Sequence, residues 1–164
     1  MNGLEREIID LLPRLRRLGR ALTRAPSDAD DLVQITVERA LTRRDQWQAG
    51  TRLDSWMFRI MKNAWIDETR ARRRRNAVLA PAEEGEPVGD DGEAAMQDRL
   101  AVAEVGRAMA RLPDEQRLAV ALVLVEGLSY KDAADVLEIP PGTLTSRLVR
   151  GRMALMAELQ DIAP

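Results

Sequence analysis

The amino-acid sequence predicts an all-α protein. Apolar residues recur at every third or fourth position along most of the chain, which is the spacing of a buried helix face. Alternating β-branched residues, the usual mark of a strand, are scarce. The chain of 164 residues is long enough for one domain or for two small ones.

The distribution of charge favours two domains. Residues 1–75 contain 17 Lys and Arg against 11 Asp and Glu, whereas residues 76–98 contain no basic residue and seven acids. Residues 99–164 are nearly balanced, with eight basic residues against nine acids. We therefore expect a basic helical domain at 1–75, an acidic linker at 76–97 and a second helical domain at 98–164. A net charge of −2 does not exclude nucleic-acid binding, because affinity follows local patches.

The first helix is expected from Leu4 to about Arg24, where Pro13 should kink or divide it. Ser27 suits the N-cap of the second helix, because the acids that follow it favour the positive end of the helix dipole. This helix should reach about Arg44. Its inner face carries Leu32, Val33, Thr36, Val37, Ala40 and Leu41.

The opposite face of the second helix combines acids with Ile35. An isolated exposed isoleucine is ordinary, but one among acids can also be the centre of a protein-docking patch. Both interpretations stay open on the residues alone. The face consists of Asp31, Ile35, Glu38 and Thr42.

The third helix, from Leu53 into the arginine run at 72–75, organises the N-terminal domain. Its inner stripe holds Leu53, Trp56, Met57, Ile60, Met61 and Ala64, with Phe58 and Trp65 on the flank. The other stripe offers cations for phosphates and an amide for base edges, which with nearby aromatic rings suit single-stranded nucleic acid. The alternative is a solvated basic face with the aromatic rings in the core. The polar stripe holds Ser55, Arg59, Lys62, Asn63, Ile66 and Arg70.

The stretch 76–97 contains prolines, glycines and acids and is too polar to bury a face. It is either a solvated spacer or an acidic segment that lies across the arginines at 70–75.

The C-terminal domain begins with a helix at about 98–112, whose inner face holds Leu100, Val105, Met109 and Leu112. Pro113 with two following acids restarts the chain as an apolar helix at 116–125, the expected centre of this domain. Ser129 then caps a short Ala-rich helix, and a last helix runs from Thr143 to about Leu159.

Two short helices joined by a tight turn form a helix-turn-helix, whose second helix enters the major groove of DNA. Thr143, Ser146, Arg147 and Arg150 share the outer side of that helix, where base contacts are made. Such helix pairs also occur in bundles that bind no DNA.

Cysteine and histidine are absent, which excludes disulfides, thiolate zinc sites and imidazole bases. We expect neither a metal, a cofactor nor a catalytic residue. The N-terminus lacks the order of a signal peptide and no window resembles a membrane span, so a cytoplasmic protein without membrane insertion is expected.

The order of these parts resembles a bacterial sigma factor of the extracytoplasmic-function group (group 4 of the sigma-70 family), which contains only sigma regions 2 and 4. Six segments in matching order carry the resemblance and span nearly the whole chain apart from the linker and the termini. They are Asp30–Gln34, Ser55–Asn63, Arg72–Arg75, Leu112–Arg117, Glu126–Tyr130 and Gly142–Leu148.

The resemblance implies a promoter-specificity subunit that is not an enzyme. The N-terminal domain would capture flipped bases of the minus-ten element, at a cost of a few kcal/mol that the pocket must offset, and would hold the backbone phosphates. The residues implied are Trp47, Ser55, Arg59, Lys62, Asn63, Arg70, Arg72, Arg73 and Arg74.

The helix-turn-helix would read the minus-thirty-five element in duplex form, and the linker would raise the effective concentration of one element for the other. The residues implied for this contact are Ser129, Tyr130, Thr143, Thr145, Ser146, Arg147 and Arg150.

The resemblance also implies partners: core RNA polymerase, through its β′ clamp helices and β flap, promoter DNA and an anti-sigma factor. The residues implied for core polymerase are Asp31, Leu32, Gln34, Ile35 and Glu38.

Three positions depart from the family pattern. Ile35 stands where an acid is usual, Thr145 where Lys or Arg is usual, and Glu138 where glycine is frequent in the turn. Two other functions remain: a sigma-like decoy that sequesters an anti-sigma factor, and an RNA-binding or hydrolytic helical protein. The basic residues Arg147, Arg150 and Arg152 argue against a decoy, and the lack of a paired acid and base argues against a hydrolase.

Overall fold

The computed structural model describes residues 2–78 and 93–162, which form seven α-helices with no strand among them. The predicted all-α class is confirmed. A 3-10 turn, Arg44–Gln46, follows the second helix, and a π-helical turn, Ala121–Val125, continues the fifth. The helices are α1 Gly3–Leu22, α2 Pro26–Thr42, α3 Leu53–Val78, α4 Glu93–Arg111, α5 Asp114–Val120, α6 Tyr130–Leu137 and α7 Pro141–Ile162. No helix within these residues combines the length and apolar content that crossing a bilayer requires.

Helix α1 is capped at its start and runs through its proline. The Asn2 side-chain oxygen accepts a hydrogen bond from the Glu5 N–H at 2.9 Å, which satisfies one of the unpaired donors of the first turn. The helix is not divided at Pro13. This residue is exposed, so water can reach the carbonyl group that proline leaves without a helical donor.

Helix α2 begins before the predicted cap. Pro26 occupies the first helical position and Ala25 is the N-cap, so the prediction of Ser27 as N-cap is wrong. Proline suits this position because its missing N–H would have no helical partner there. Asp28 still lies in the first turn, near the positive end of the helix dipole.

Helices α1, α2 and α3 form the N-terminal bundle, with the inner face of α3 against the other two. Phe58 and Trp65 are also buried, with exposed fractions of 0% and 4%, so these rings belong to the core and are not available for stacking. Gly19 permits the close approach of α1 to α2, since a Cβ there would lie 3.3 Å from the Ala29 carbonyl oxygen. The buried residues of the predicted α3 stripe are Leu53, Met57, Ile60, Met61 and Ala64.

Helices α4 to α7 form the C-terminal bundle around α5. Residues 118–122 of α5 and its π-helical turn are buried, as predicted, whereas Leu124 is about half exposed. Helix α7 crosses α5 at Gly151, where a Cβ would lie 2.7 Å from Val120 Cγ2. Ser129 caps α6 as predicted, because its Oγ accepts a hydrogen bond from the Asp132 N–H at 3.0 Å.

The segment between the bundles differs from the sequence prediction at both ends. Helix α3 continues to Val78 and α4 begins at Glu93, so both helices extend into the stretch expected to be a linker. The rest of that stretch lies outside the described residues, as does its expected contact with the arginines at 70–75. On α4, Leu100 and Val105 are exposed, which contradicts their predicted place on an inner face.

The two bundles pack directly against each other. Helix α1 contacts α4, α5 and the π-helical turn, while α3 contacts α6. Buried residues from both bundles form one continuous apolar cluster. The junction between the bundles therefore covers parts of α1 and α3 that the spacing of apolar residues in each helix predicts to be exposed to solvent.

Candidate nucleic-acid and protein-binding surfaces

Four of the residues expected to contact single-stranded DNA lie along α3, within two turns. Ser55, Arg59, Lys62 and Asn63 follow the predicted polar stripe. Asn63 is exposed, but Lys62 is only 5% exposed because α6 lies across this part of α3. The sequence predicted that these side chains lie on one face of α3, but it did not predict that α6 covers part of this face.

Acidic and carbonyl groups of α6 and the following turn face these cations. Arg59 Nη2 donates a hydrogen bond to the Asp135 carbonyl oxygen at 3.0 Å. Lys62 Nζ lies 3.5 Å from Glu138 Oε2, and Arg59 Nε lies 3.8 Å from Glu138 Oε1. Arg59 and Lys62 of the predicted DNA-binding stripe therefore have partners within the chain.

The arginines at the end of α3 point in different directions. Arg70 and Arg74 are exposed. Arg72 pairs with Asp28 of α2 at 2.9 Å, and this hydrogen bond, against the effect of burial, raises the pKa of Arg72 above its ordinary value. Arg73 pairs with Asp114 at the start of α5. The structure therefore does not align the four arginines along one DNA backbone path.

The loop before α3 carries Trp47, which packs against the core and is partly exposed. Its indole Nε1 is buried without a hydrogen-bond partner. Five residues further on, Arg52 pairs with Asp54 at 2.8 Å and also with Asp132 of α6. Sequence reasoning did not single out Arg52, whose role as a bridge depends on the packing of α6.

Asp54 is a carboxylate held in its charged form. Burial alone would raise its pKa, but hydrogen bonds from Arg52, Arg14 and the Ser55 N–H outweigh burial and lower the pKa below the ordinary value of an aspartate. Asp54 thereby connects α1 to the loop before α3.

The helix-turn-helix has the predicted inner and outer sides. Leu144, Leu148 and Gly151 of α7 are buried against the rest of the C-terminal bundle. On the outer side Arg147 is partly covered and lies 3.7 Å from Glu115. Its expected DNA-binding neighbours Ser129, Tyr130, Thr145, Ser146 and Arg150 are exposed, and Thr143 is partly exposed. The Thr145 hydroxyl donates a hydrogen bond to the Pro141 carbonyl oxygen at 3.0 Å.

All five residues expected to contact core polymerase line one cleft of about 440 Å³ between the bundles. Leu32 is buried and supports the cleft from within, whereas Ile35 is partly exposed. Gln34 donates a hydrogen bond to Glu38 at 3.2 Å, and Asp31 is exposed beside them. The result is an apolar centre with a polar rim that contains both acids and arginines and is acidic along α2, as expected for a protein-docking surface.

Two charged residues at the junction, Arg117 and Glu126, belong to segments that carry the family resemblance, but the sequence predicted no role for them. Arg117 donates hydrogen bonds to the carbonyl oxygens of Met109, Ala110 and Leu112, which closes the C-terminal end of α4. Its guanidinium carbon lies 5.6 Å from the centre of the Trp65 ring. Burial lowers the pKa of Arg117, although arginine stays protonated. Glu126, the second, is buried between Arg14 and Arg17 of α1.

Both halves of the chain match models of known families. Residues 8–62 match the Sigma2 domain of PhyR, and residues 103–155 match Sigma-70, region 4. The first match covers most of the N-terminal bundle, and the second covers α4 from its middle to most of α7.

Among curated proteins the chain is 35% identical over 162 residues to the ECF RNA polymerase sigma factor EcfG of Rhodopseudomonas palustris, covering 96% of this chain and 86% of that protein. It is 38% identical over 142 residues to the ECF RNA polymerase sigma factor SigM of Mycobacterium tuberculosis, covering 87% of this chain and 69% of that protein. These alignments span both bundles.

Solved structures share the arrangement of helices. The sigma factor RpoE from Bartonella quintana, in complex with the anti-sigma factor NepR, matches over 98% of both chains with a TM-score of 0.80 and 27% identity. PhyRSL from Sphingomonas, solved in complex with NepR, matches 98% of this chain and 88% of its own with a TM-score of 0.64. At 24% identity, the second likeness concerns the fold alone.

Proposed function

Since the chain belongs to the extracytoplasmic-function (ECF) family of RNA polymerase sigma factors, we propose that it acts by binding core RNA polymerase and two separate promoter elements. The grouping of basic and polar side chains at the N-terminal end of α7, outside a buried apolar side, is the observation that carries this proposal. The N-terminal end of the second helix is where helix-turn-helix proteins contact base edges.

The upstream element is proposed to be read in duplex form by α7. Ser146 and Arg150 are exposed one turn apart, and Arg147 lies between them. Arginine can donate two hydrogen bonds to one guanine, whereas serine contacts a base or a phosphate. The hydroxyl of Thr145 already donates to a backbone carbonyl oxygen, so Thr145 would supply less to DNA than the Lys or Arg usual at this position.

The downstream element is proposed to be held as a single strand on α3. Arg59 and Lys62 would contact phosphates, and Asn63 would hydrogen-bond to a flipped base. The exposed side chains of Arg70 and Arg74 would extend this contact along the strand. Phe58 and Trp65 cannot stack on bases from the core, so base stacking falls to the loop around Trp47.

Core polymerase is proposed to dock on the cleft beside α2. Ile35 would form the apolar centre of this contact, and Asp31 and Glu38 would pair with basic residues of the β′ clamp helices. The β flap is proposed to cover a second apolar surface, the stripe Val149, Met153 and Met156 on α7. These three side chains are each at least half exposed, and methionine adapts its shape to a partner.

An anti-sigma factor is the third proposed partner. The structural relative RpoE, 27% identical, was solved bound to the anti-sigma factor NepR. An inhibitor that occupies the cleft beside α2 would compete directly with core polymerase, because both would need the surface around Ile35.

A decoy that sequesters an anti-sigma factor without directing transcription is the second candidate. The match of residues 8–62 to the Sigma2 domain of PhyR, a different family model from the one matched by the C-terminal half, gives it only weak support. The exposed Arg150 and Arg152 of α7 favour the sigma factor, since a decoy has no need of cations on a DNA-reading helix.

One experiment separates the two candidates. The purified chain is mixed with bacterial core RNA polymerase, tested for co-elution, and then used for run-off transcription from a library of promoter fragments. Transcripts that share a motif support the sigma factor. Failure to bind polymerase, together with capture of an anti-sigma factor, supports the decoy.

A further inference from the structure

The C-terminal bundle places its negative groups against the positive groups of the N-terminal bundle. Four acidic side chains of α5, α6 and their neighbouring turns face five arginines and one lysine across the junction. The acids are Asp114, Glu126, Asp132 and Glu138, and the cations are Arg14, Arg17, Arg52, Arg59, Lys62 and Arg73. The junction is therefore more than an apolar contact, because in each of these ion pairs the C-terminal bundle supplies the acid and the N-terminal bundle supplies the cation.

Part of this junction coincides with the proposed downstream DNA surface. The Glu138 carboxylate faces Arg59 and Lys62, and Arg59 also donates a hydrogen bond to the Asp135 backbone carbonyl oxygen. Arg52, at the edge of the same surface, pairs with Asp132. The carboxylates of Asp132 and Glu138 thus occupy the places at which phosphate groups of a single strand would pair with these cations.

The backbone at Glu138 is strained. Its φ of 57° lies in the left-handed region, which a residue with a Cβ adopts less readily than glycine. Its N–H closes α6 by donating to the Asp135 carbonyl oxygen at 3.2 Å, a turn that glycine would make without strain. Glutamate here contributes a carboxylate that reaches both Arg59 and Lys62.

The closed junction does not fully satisfy Arg59. Its Nε is buried without a hydrogen bond, and the nearest Glu138 carboxylate oxygen lies 3.8 Å away. Phosphate oxygens can accept two parallel hydrogen bonds from one guanidinium group. A single strand could therefore pair better with Arg59 than α6 does, which leaves the junction stable but open to competition.

We propose that the acidic edge of the helix-turn-helix, Asp132 to Glu138, is a built-in competitor of single-stranded DNA for the cations of α3. The inference rests on the proposed role of Arg59 and Lys62 in holding the downstream strand. The two bundles must separate before α3 takes up DNA, and Glu138 is the residue whose charge holds them together at this point. Free protein is thereby kept from binding single strands until a partner separates the bundles.

The test uses Glu138→Gln, which removes the charge and leaves the size and backbone of this exposed residue. Glu7→Gln is the matched control, because Glu7 is an exposed acid on α1 that takes no part in these ion pairs of the junction. The chain has no cysteine, so two can be introduced at Asp10 and Gln160 for a donor and an acceptor dye. Energy transfer then reports separation of the bundles, and anisotropy of a labelled mixed-sequence single strand reports DNA binding.

Glu138→Gln should lower energy transfer and tighten single-strand binding about threefold, the scale of one partly exposed ion pair. Adding Arg59→Ala should abolish the gain in DNA binding. If Glu138→Gln leaves energy transfer unchanged while Arg59→Ala alone still weakens DNA binding, the proposed competition by α6 is wrong. The proposed contact between Arg59 and the downstream strand would still stand. Lower transfer without any gain in DNA binding would overturn both the competitor and the proposed strand contact. Glu7→Gln should change neither signal.

Discussion

The carboxylate of Glu126 has no exposed surface and accepts hydrogen bonds from Arg17 at 2.9 and 3.0 Å. Glu126 begins the segment after α5, and Arg17 lies 109 positions earlier on α1. Arg14 adds a third contact at 3.3 Å, and its guanidinium carbon lies 5.1 Å from the centre of the Phe58 ring. The hydrogen bonds to Glu126 raise the pKa of Arg17 above its ordinary value, and they outweigh burial, which lowers it. One buried carboxylate thus ties the two bundles together.

Replacing this carboxylate should destabilise the fold. Glu126→Ala removes the carboxylate that Arg17 pairs with and one of the two that Arg14 contacts, since Arg14 keeps Asp54. Because both arginines can turn to water, the expected loss is about 2 kcal/mol of unfolding free energy. Urea unfolding followed by the fluorescence of the three tryptophans measures it. The control Glu7→Ala should keep the wild-type midpoint. Equal midpoints for Glu126→Ala and wild type would show that the pair contributes nothing.

Asp54 should make stability depend on acid pH. Its pKa is lower in the folded state, so its contribution is complete above the ordinary aspartate pKa of about 4 and is lost as pH falls further. Asp54→Asn should therefore be less stable than wild type at pH 6, and the difference should shrink toward pH 3. Urea midpoints at several pH values measure how the stability of wild type and of Asp54→Asn depends on pH. Asn in place of the exposed Asp45 should keep the wild-type slope, and a constant difference at all pH values for Asp54→Asn would contradict the assignment.

Gly151 should tolerate no side chain. A Cβ would lie 2.7 Å from Val120 Cγ2 and 3.2 Å from the Gln116 carbonyl oxygen. Because Val120 is buried among packed side chains, shifting it would disturb the core, and Gly151→Ala should cost about 1–3 kcal/mol. The control Gly106→Ala places its Cβ in open space within α4 and should stabilise by up to about 1 kcal/mol. Thermal unfolding of both variants compares them directly. A neutral Gly151→Ala would mean that α5 and α7 can separate freely.

Ile35 should contribute to polymerase binding. Ile35→Asp places a charge at the apolar centre of the cleft, and the affinity for core polymerase should fall about tenfold, the scale of one interface residue. Ile9→Asp on α1 is the matched control, because Ile9 is about half exposed and lies outside the cleft. Titration of labelled protein with core polymerase measures both affinities, and circular dichroism confirms that both variants fold. If both variants lose the same affinity for core polymerase, the cleft is not the docking site.

Periodicity predicted the buried face of α3 well. Met57, Ile60 and Met61 recur at the spacing of a helix face and are buried, because local spacing determines which side of a helix is apolar. Periodicity could not predict the burial of Lys62 or Glu126, whose surroundings come from helices distant in sequence. Ser27 was mistaken for a cap because serine and proline both favour helix starts, and Pro26 took the first helical position.

The family pattern supplied one signal that periodicity lacked. Glu138 departs from the glycine frequent in its turn, and the structure shows a left-handed backbone at that residue and a carboxylate directed at α3. The exposed Leu100 and Val105 of α4 show a case in which periodicity predicts burial wrongly. Their spacing is that of a buried face, but the described residues place no helix over them.

The central claim, that α7 reads one promoter element while α3 holds another, is tested most directly by sequencing the promoters transcribed from a randomised library. Wild-type protein with core polymerase should select two short elements at a fixed spacing. Arg147→Ala should relax selection at one upstream position, at a cost of about 1–3 kcal/mol in discrimination, and leave the downstream element unchanged. Unchanged upstream selection, or loss of selection in both elements together, would contradict the account.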